Sequence, residues 1–181
     1  MKKTSTLIAM ILFGGVLSAP SNAPAHTPPR QAQQVAQTPF RLAAEDLGVM
    51  LKNLKYETAT TAQGQFEIEM KQGTYTFHPF VAVSSSGNKI WITTSVRPLT
   101  AIDLTNADFL SKLLIANNAV GPAQFYIENV AAEKKPADFR LGFGYPLDNR
   151  GVTEEILKDA LDAFANGLVE QAAIWDLPKA K

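Results

Sequence analysis

The order of hydrophobic patterns along the chain predicts an α+β domain in which helices pack on one antiparallel sheet. Three segments place apolar residues at helical spacing, and five others are rich in alternating, β-branched or aromatic side chains. The resulting order is α-β-β-β-α-β-β-α, which fits a layer of helices on one face of a sheet.

The first helix is predicted to begin at Thr38-Pro39 and to end near Lys55. Threonine caps helices well, and proline is accepted in the first helical turn. The apolar residues that recur at helical spacing are Phe40, Ala44, Leu47, Leu51 and Leu54.

Three strands of an antiparallel meander are predicted after this helix. Residues 66–70 alternate apolar residues with glutamates, which is typical of a half-buried strand. A turn at 71–73 leads into a second strand over 74–83, which Pro79 bends or places at an edge. A serine-rich loop at 84–88 then precedes a third strand at 89–96.

The second half of the chain predicts helix, strand, strand and helix. Thr105 and Asp108 resemble a capping box for the second helix, which Asn118 and Gly121-Pro122 end. Strands are predicted at 124–130 and 139–145, with a turn at 133–136 between them. Thr153 is predicted to cap the last helix. Its apolar stripe consists of Ile156, Leu157, Ala160, Leu161, Phe164, Leu168 and Ala172.

The first 25 residues are predicted to be a cleavable signal peptide. Lys2 and Lys3 precede an apolar run at 7–17, which is shorter than the about 20 residues that span a bilayer. The segment Ala23-Pro24-Ala25 has the small-x-small form of a cleavage site, and we expect cleavage after Ala25. The alternative is an uncleaved membrane anchor. We therefore expect a periplasmic or secreted protein with no membrane attachment after cleavage.

The rest of the chain is divided into a flexible Pro/Gln-rich tether at 26–38, a single domain at 39–177 and a short polar tail at 178–181. Residues 26–37 contain one large apolar residue, Val35, so burial cannot offset the entropy of ordering them. About 156 mature residues are enough for one domain.

Charge and cysteine content exclude several classes of function. Removal of Lys2 and Lys3 from a chain with 17 basic and 17 acidic residues leaves 15 basic residues, a net charge of −2. We expect no nucleic-acid partner, because binding to phosphates needs clustered Lys and Arg. The chain has no cysteine, so disulfides, thiol nucleophiles and thiolate metal sites are excluded.

The sequence contains no recognisable catalytic, cofactor-binding or metal-binding arrangement, so we expect no enzyme activity and no cofactor. His26 and His78 lack the spacing of metal ligands, and the serines at 84–86 lack the frame of a nucleophile elbow. Residues 142–144 read Gly-Phe-Gly inside a strand, which indicates close backbone approach or a bulge. Glu67 and Glu69 share a strand face, which we interpret as the solvated one.

Two features suit protein binding better. The second helix has an apolar arc of about 160°, and Ile115 lies outside it. Either part of this wide surface meets a second subunit, or all of it is buried within one chain. Trp91 points to the strand face opposite Ile90 and Ile92, where it is either an exposed interface anchor or covered by a loop. The candidate protein interface consists of Trp91, Leu110, Leu114 and Ile115.

Several phrases resemble the YbjN family and the wider group with the class I type III secretion chaperone fold, over residues 39–175. They are Leu54-Lys55-Tyr56, Lys89-Ile90-Trp91-Ile92, Leu113-Leu114-Ile115-Ala116-Asn117, Arg140-Leu141, Tyr145-Pro146-Leu147 and Val152-Thr153. The resemblance implies an α+β fold, and its chaperone branch implies small dimers that bind extended protein segments. The predicted export and the near-neutral charge depart from the secretion chaperones.

Three functions remain open from the sequence. The first is an exported, non-enzymatic protein-binding or chaperone-like module, as a monomer or a homodimer, whose partner the sequence does not name. The second is a small-ligand or envelope-stress binding protein with a pocket between sheet and helices. A hydrolase comes last, because no nucleophile, base and orienting residue can be assembled.

Overall fold

The computed structural model describes residues 40–61, 63–129 and 139–176. The predicted signal peptide, the tether, the helix start at Thr38-Pro39, the turn at 133–136 and the tail at 178–181 lie outside these residues.

The described residues form five helices and eight strands. The helices are α1 (Ala44–Asn53), α2 (Ala101–Thr105), α3 (Ala107–Ala119), α4 (Glu154–Glu170) and α5 (Ala172–Trp175). The strands are β1 (Thr58–Thr60), β2 (Phe66–Ile68), β3 (Met70–Gln72), β4 (Tyr75–Phe77), β5 (Phe80–Val83), β6 (Lys89–Pro98), β7 (Gln124–Asn129) and β8 (Phe139–Asp148). Of the helices in this part of the chain, none is long and apolar enough to cross a membrane.

Six strands form one antiparallel sheet in the order β1-β2-β5-β6-β8-β7, and β3 and β4 form a separate hairpin. The predicted α+β class with an antiparallel sheet is confirmed. β6 and β8 form the longest pairing, in which Trp91 lies opposite Pro146 and Ile92 lies opposite Tyr145.

The hydrophobic core lies between the helices and the sheet face that carries Ile90 and Ile92, both fully buried. Within this core, the ring centroid of Phe143 lies 4.6 Å from that of Phe125 and 5.3 Å from that of Phe164 in α4. The predicted stripe of α4 is buried from Leu157 to Leu168. Ile156 is 42% exposed, because it lies about 90° around the helix from the centre of that stripe.

The first helix begins at Ala44, later than predicted. The Leu42 backbone donates to Oδ1 of Asn149 at 3.1 Å and accepts from its Nδ2 at 2.9 Å. The Phe40 carbonyl accepts from the N–H of Gly151. These bonds between distant segments hold residues 40–42 outside the helix. Phe40 is therefore 63% exposed instead of part of the buried stripe.

The predicted first strand is divided into β2 and β3, and β1 was not predicted at all. The chain leaves the sheet at Glu69, and the β3–β4 hairpin packs against α4 with Met70 and Phe77 buried. The predicted single strand at 74–83 is also divided: Pro79 separates β4 in the hairpin from β5, which is an inner strand of the six-stranded sheet. The alternation of apolar and polar residues continues through Glu69 without a break. The sequence therefore could not reveal that the two halves of the predicted first strand belong to different sheets.

The predicted capping box at Thr105 and Asp108 is wrong. The actual box begins α2, where Asp103 N–H donates to Thr100 Oγ1 at 3.2 Å and Thr100 N–H donates to the Asp103 carboxylate at 2.8 Å. Asn106 caps α3 by accepting from two N–H groups in its first turn. The two Thr-x-x-Asp motifs have the same spacing, so spacing alone could not select between them.

Other predicted boundaries are close to the structure. Thr153 Oγ1 accepts from the Ile156 N–H and caps α4, and α3 ends at Ala119, just before Gly121. The loop at 84–88 and the strand that begins at Lys89 are confirmed.

Candidate functional site

The sheet face opposite the core carries a group of aromatic and small side chains. Trp91 lies between its register partners Ala82 and Pro146, and Phe80 lies in the next row of β5. We call these four residues the open-face patch; all are partly exposed. As predicted, Trp91 faces away from Ile90 and Ile92. In the described residues, α1 and α4 pack on the other side, where Gly48 meets Phe66 and Phe164 meets Phe143.

Tyr126 on β7 continues this aromatic surface next to the open-face patch. Its ring covers Gly142 and Gly144, and a Cβ atom at Gly142 would lie 2.5 Å from the ring. The Gly-Phe-Gly segment therefore allows a close approach, which was one of its two predicted explanations. Burial raises the pKa of Tyr126 to about 12, and its hydroxyl bonds to Thr93. The hydroxyl stays protonated at neutral pH and remains a neutral part of the surface.

The α3 helix presents a second apolar surface. Leu113 and Ala116 are buried, whereas Leu114 is 71% and Ile115 is 70% exposed. Leu110 is partly exposed. The helix buries a stripe narrower than the predicted apolar arc, so Leu114, a candidate interface residue within that arc, is left exposed.

The position of α3 explains this narrow stripe. The side chain of Asn117 accepts from the Phe125 N–H at 2.6 Å and donates to the Phe125 carbonyl at 3.0 Å. Because Phe125 belongs to β7, an edge strand of the sheet, α3 is held along that edge. The side of the helix with Leu114 and Ile115 is left in solvent.

The four predicted interface residues fall on two separate surfaces. Trp91 lies on the open face, whereas Leu110, Leu114 and Ile115 belong to a helix whose buried residues join the core on the other side of the sheet. The structure therefore does not combine them into one site.

The residues that could suggest catalysis have structural or solvated roles. Ser84 and Ser86 both donate to Oδ1 of Asn88 and close their loop. His78 is exposed, and its Nδ1 lies 3.9 Å from Oε1 of Glu67. Within the described residues, no group of three acidic or histidine side chains is arranged to hold a metal ion.

Glu67 and Glu69, the two carboxylates considered as a pair, have different partners: Glu67 lies beside His78, and Glu69 pairs with Lys71. Glu69 bonds to Lys71 at 2.9 Å, and this hydrogen bond lowers the pKa of the Glu69 carboxyl group. Both glutamates are accessible to solvent, as the strand pattern predicted.

An ion pair that was not predicted from the sequence attaches α2 to the sheet. A register shift between Ser95 and Arg97 turns Arg97 toward the helices. Its guanidinium makes two hydrogen bonds of 3.1 Å to Asp103 and lies 5.0 Å above the ring of Phe109. The feature that identifies this pair is the partial burial of the Arg97 and Asp103 side chains, which the sequence does not show.

We expect the Asp103 carboxylate to make a contribution to the stability of the folded protein that is lost in acid. The hydrogen bond from Arg97 lowers the pKa of Asp103 from 3.8 to about 2. Its ionised form therefore stabilises the fold fully above about pH 4, and this contribution is lost as the pH falls toward 2. We expect Asp103→Asn to cost about 1 to 2 kcal/mol at pH 7 and progressively less below pH 4. Urea unfolding of both proteins between pH 7 and pH 2 tests this, and a pH-independent difference would contradict it.

A third surface feature is a groove of about 330 Å³ between α1 and the β1–β2 edge of the sheet. Gly48, Val49 and Phe66 form most of its apolar lining, and Thr60 and Gly64 close its other side. It is the kind of pocket between helix and sheet that the second functional hypothesis requires.

Comparison with known proteins relates the chain to solved structures alone. No protein-family model matches it, and no curated protein matches it. It is similar to YbjN from E. coli, which has been put forward as a transcription regulator. That match has a TM-score of 0.52 and 13% identity, and it covers 75% of this chain and 94% of YbjN.

Two further structures are similar. An uncharacterised protein from Methanothermobacter thermautotrophicus gives a TM-score of 0.50 at 9% identity, over 75% of this chain and 98% of that one. A chain of the HopA1–SchA chaperone–effector complex gives a TM-score of 0.43 at 12% identity, over 70% of this chain and 87% of that one. The match to YbjN at a TM-score of 0.52 shows a fold of the YbjN type, as the sequence resemblance implied, and an identity of 13% relates the two proteins by fold alone.

Proposed function

We propose that this chain is a non-enzymatic protein-binding module that holds a partner chain on the open-face patch, in a chaperone-like manner. One observation carries the proposal: Trp91 lies partly exposed in the middle of a sheet, between Ala82 and Pro146. A tryptophan flanked by small or flat neighbours offers a large apolar contact area, and tryptophan is enriched among the residues that dominate binding energy.

The non-enzymatic part of the proposal rests on the serines and His78. A reactive serine needs a base within hydrogen-bond distance, and that base needs an orienting partner. Ser84 and Ser86 are instead bonded to Asn88, and the closest carboxylate oxygen to His78 lies beyond hydrogen-bond distance at 3.9 Å.

Capture of partners from the native source tests the function. We expect the tagged wild-type chain and an Ile102→Ala control to retain the same partner protein. Ile102 is 76% exposed and lies outside the open-face patch, so the control removes a comparable apolar side chain. Trp91→Ala should lose that partner while remaining folded, which circular dichroism of the purified variant checks. Equal recovery with Trp91→Ala would contradict the proposal.

We also propose that the chain forms a homodimer through Leu114 and Ile115. These two adjacent apolar side chains are each about 70% exposed. Burying them against the same side chains of a second copy would stabilise a two-fold symmetric dimer. The surface is separate from the open-face patch, so a dimer of this kind leaves Trp91 available to a partner.

We propose export as the setting of this function, on the basis of the Lys2-Lys3 start, the apolar run and the Ala23-Pro24-Ala25 site. The expected mature N-terminus is His26. Intact-mass measurement of the protein from its native host tests the cleavage, and a mass that retains residues 1–25 would contradict it.

A small apolar ligand is the second candidate, supported by the groove between α1 and the β1–β2 edge. Val49 is 59% exposed on its rim, so an apolar ligand there would cover a side chain that is otherwise in water. An apolar compound that copurifies with the wild-type chain, and is lost in Val49→Glu, would support this candidate over protein binding.

A further inference from the structure

Three cationic side chains border the open-face patch. Arg41, Lys89 and Arg150 line a depression of about 290 Å³ together with Asn88 and Asp148. Lys89 and Asp148 are register partners on β6 and β8, as are Trp91 and Pro146. The two pairs are separated by two residues on the same sheet face, a distance of about 7 Å. Trp91 therefore lies one row along the sheet from Lys89 at the rim of the depression.

The positive charge in this depression is only partly neutralised. Arg150 donates from Nε and Nη2 to the two carboxylate oxygens of Asp148, both at 2.9 Å, and Lys89 Nζ lies 3.7 Å from Oδ2. The hydrogen bond from Arg150 lowers the pKa of Asp148, which keeps this carboxylate ionised. Arg41 has no hydrogen-bond or ion-pair partner among the described residues. Among the described residues that line the depression, one carboxylate thus lies beside three cations, which leaves a net charge of +2 there.

Buried hydrogen bonds fix the three backbone segments that carry these cations. Asn149 is fully buried, and its side chain bonds to the Leu42 backbone and to the Gly87 carbonyl. Its N–H donates to the Asn88 carbonyl. Arg41, Lys89 and Arg150 are each one or two residues from a member of this network. The backbone positions of the three cations are therefore set before any ligand arrives, which lowers the entropic cost of binding.

We propose that Arg41, Lys89 and Arg150 form an anion-binding site for a carboxylate-bearing segment of the protein partner, with a neighbouring apolar side chain of that segment placed on Trp91. This inference rests on the proposed function and specifies the chemistry of its partner. Paired guanidinium and ammonium groups suit carboxylates, and the adjacent Trp91 and Pro146 suit an apolar residue.

The charge pattern of the rest of the face favours a short acidic segment over an extended polyanion. Phe80 is the register partner of Glu67, which lines a second depression with Glu57, Glu69 and His78. A nucleic acid or an anionic membrane lying flat on the sheet would meet these glutamates. A peptide can place its carboxylates at one end of the face and avoid them.

Labelled synthetic peptides test the inference on the full chain by fluorescence anisotropy. One peptide has a central phenylalanine followed by four glutamates, and its match has four lysines instead. We expect the glutamate peptide to bind at least tenfold more tightly at low ionic strength, with the difference shrinking in about 0.3 M salt. Arg41→Glu should reduce or reverse this preference. The matched control Lys112→Glu, a charge reversal on exposed α3, should preserve it.

Further variants separate this inference from the proposed function. Arg41 has no described partner to lose, so Arg41→Glu is expected to keep the wild-type melting temperature even if Arg150→Glu does not. An unchanged peptide preference in Arg41→Glu would overturn the anion site. If Trp91→Ala abolished partner capture while both peptides bound equally, the proposed function would stand and the anion site would fall. Arg41-dependent binding to phosphatidylglycerol vesicles, or to inorganic phosphate, as tight as to the peptide would overturn the assignment to a protein carboxylate.

Discussion

Replacing Asn149 with alanine is expected to lower the free energy of unfolding by about 3 to 5 kcal/mol. The Asn149 side chain makes three hydrogen bonds of 2.9 to 3.1 Å, two to the Leu42 backbone and one to the Gly87 carbonyl. Alanine leaves these backbone groups without that partner. Each buried group that loses its partner costs about 1 to 3 kcal/mol.

Chemical unfolding followed by circular dichroism measures this effect. Asn118→Ala is the matched control, because Asn118 is an exposed asparagine on α3, and we expect it to change stability by less than about 0.5 kcal/mol. Asn149→Asp keeps the acceptor for Leu42 but loses both donated bonds, so it should also be strongly destabilised. A loss below about 1 kcal/mol in Asn149→Ala would show that the three segments hold together without this side chain.

Ile115→Glu is expected to raise the dissociation constant of the homodimer at least 100-fold. Burying an isoleucine contributes roughly 1.5 to 3 kcal/mol, and a two-fold interface uses the position twice. A loss of about 3 kcal/mol already corresponds to more than 100-fold. The monomer should keep its melting temperature, because the side chain is 70% exposed before association.

Light scattering over a concentration series, combined with a thermal melt, measures both effects. Ile102→Glu places the same charge on another exposed isoleucine and should leave the dimer intact. A wild-type chain that stays monomeric at high concentration would contradict the dimer. An unfolded Ile115→Glu variant would place Ile115 in the monomer core instead.

Elements with a regular period were predictable from the sequence. The stripe of α4 and the alternation around Ile90 and Ile92 report burial on one side, and the structure buries those residues. The start of α1 was not predictable, because its backbone partner Asn149 lies 107 residues from Leu42. Local propensity at Thr38-Pro39 carries no information about such a contact.

The candidate surfaces were predictable where a position depends on neighbouring residues alone, and not where it depends on distant segments. Strand alternation placed Trp91 on the open face, because its direction depends only on its neighbours. The sequence left open whether all of the α3 arc is buried, because it does not show that Asn117 holds α3 at the sheet edge with Leu114 exposed. The cation cluster was not predicted, because Arg41, Lys89 and Arg150 come from three segments that meet only in the folded chain.

Site-specific photocrosslinking in living cells tests the central claim, that the open-face patch binds a protein. A photoreactive amino acid at position 82, the register partner of Trp91, keeps the tryptophan in place. We predict a crosslinked adduct with a partner protein that disappears in Trp91→Ala, and no such adduct from position 155, an exposed position of α4. Absence of any protein adduct from position 82, or an adduct that persists in Trp91→Ala, would contradict the account.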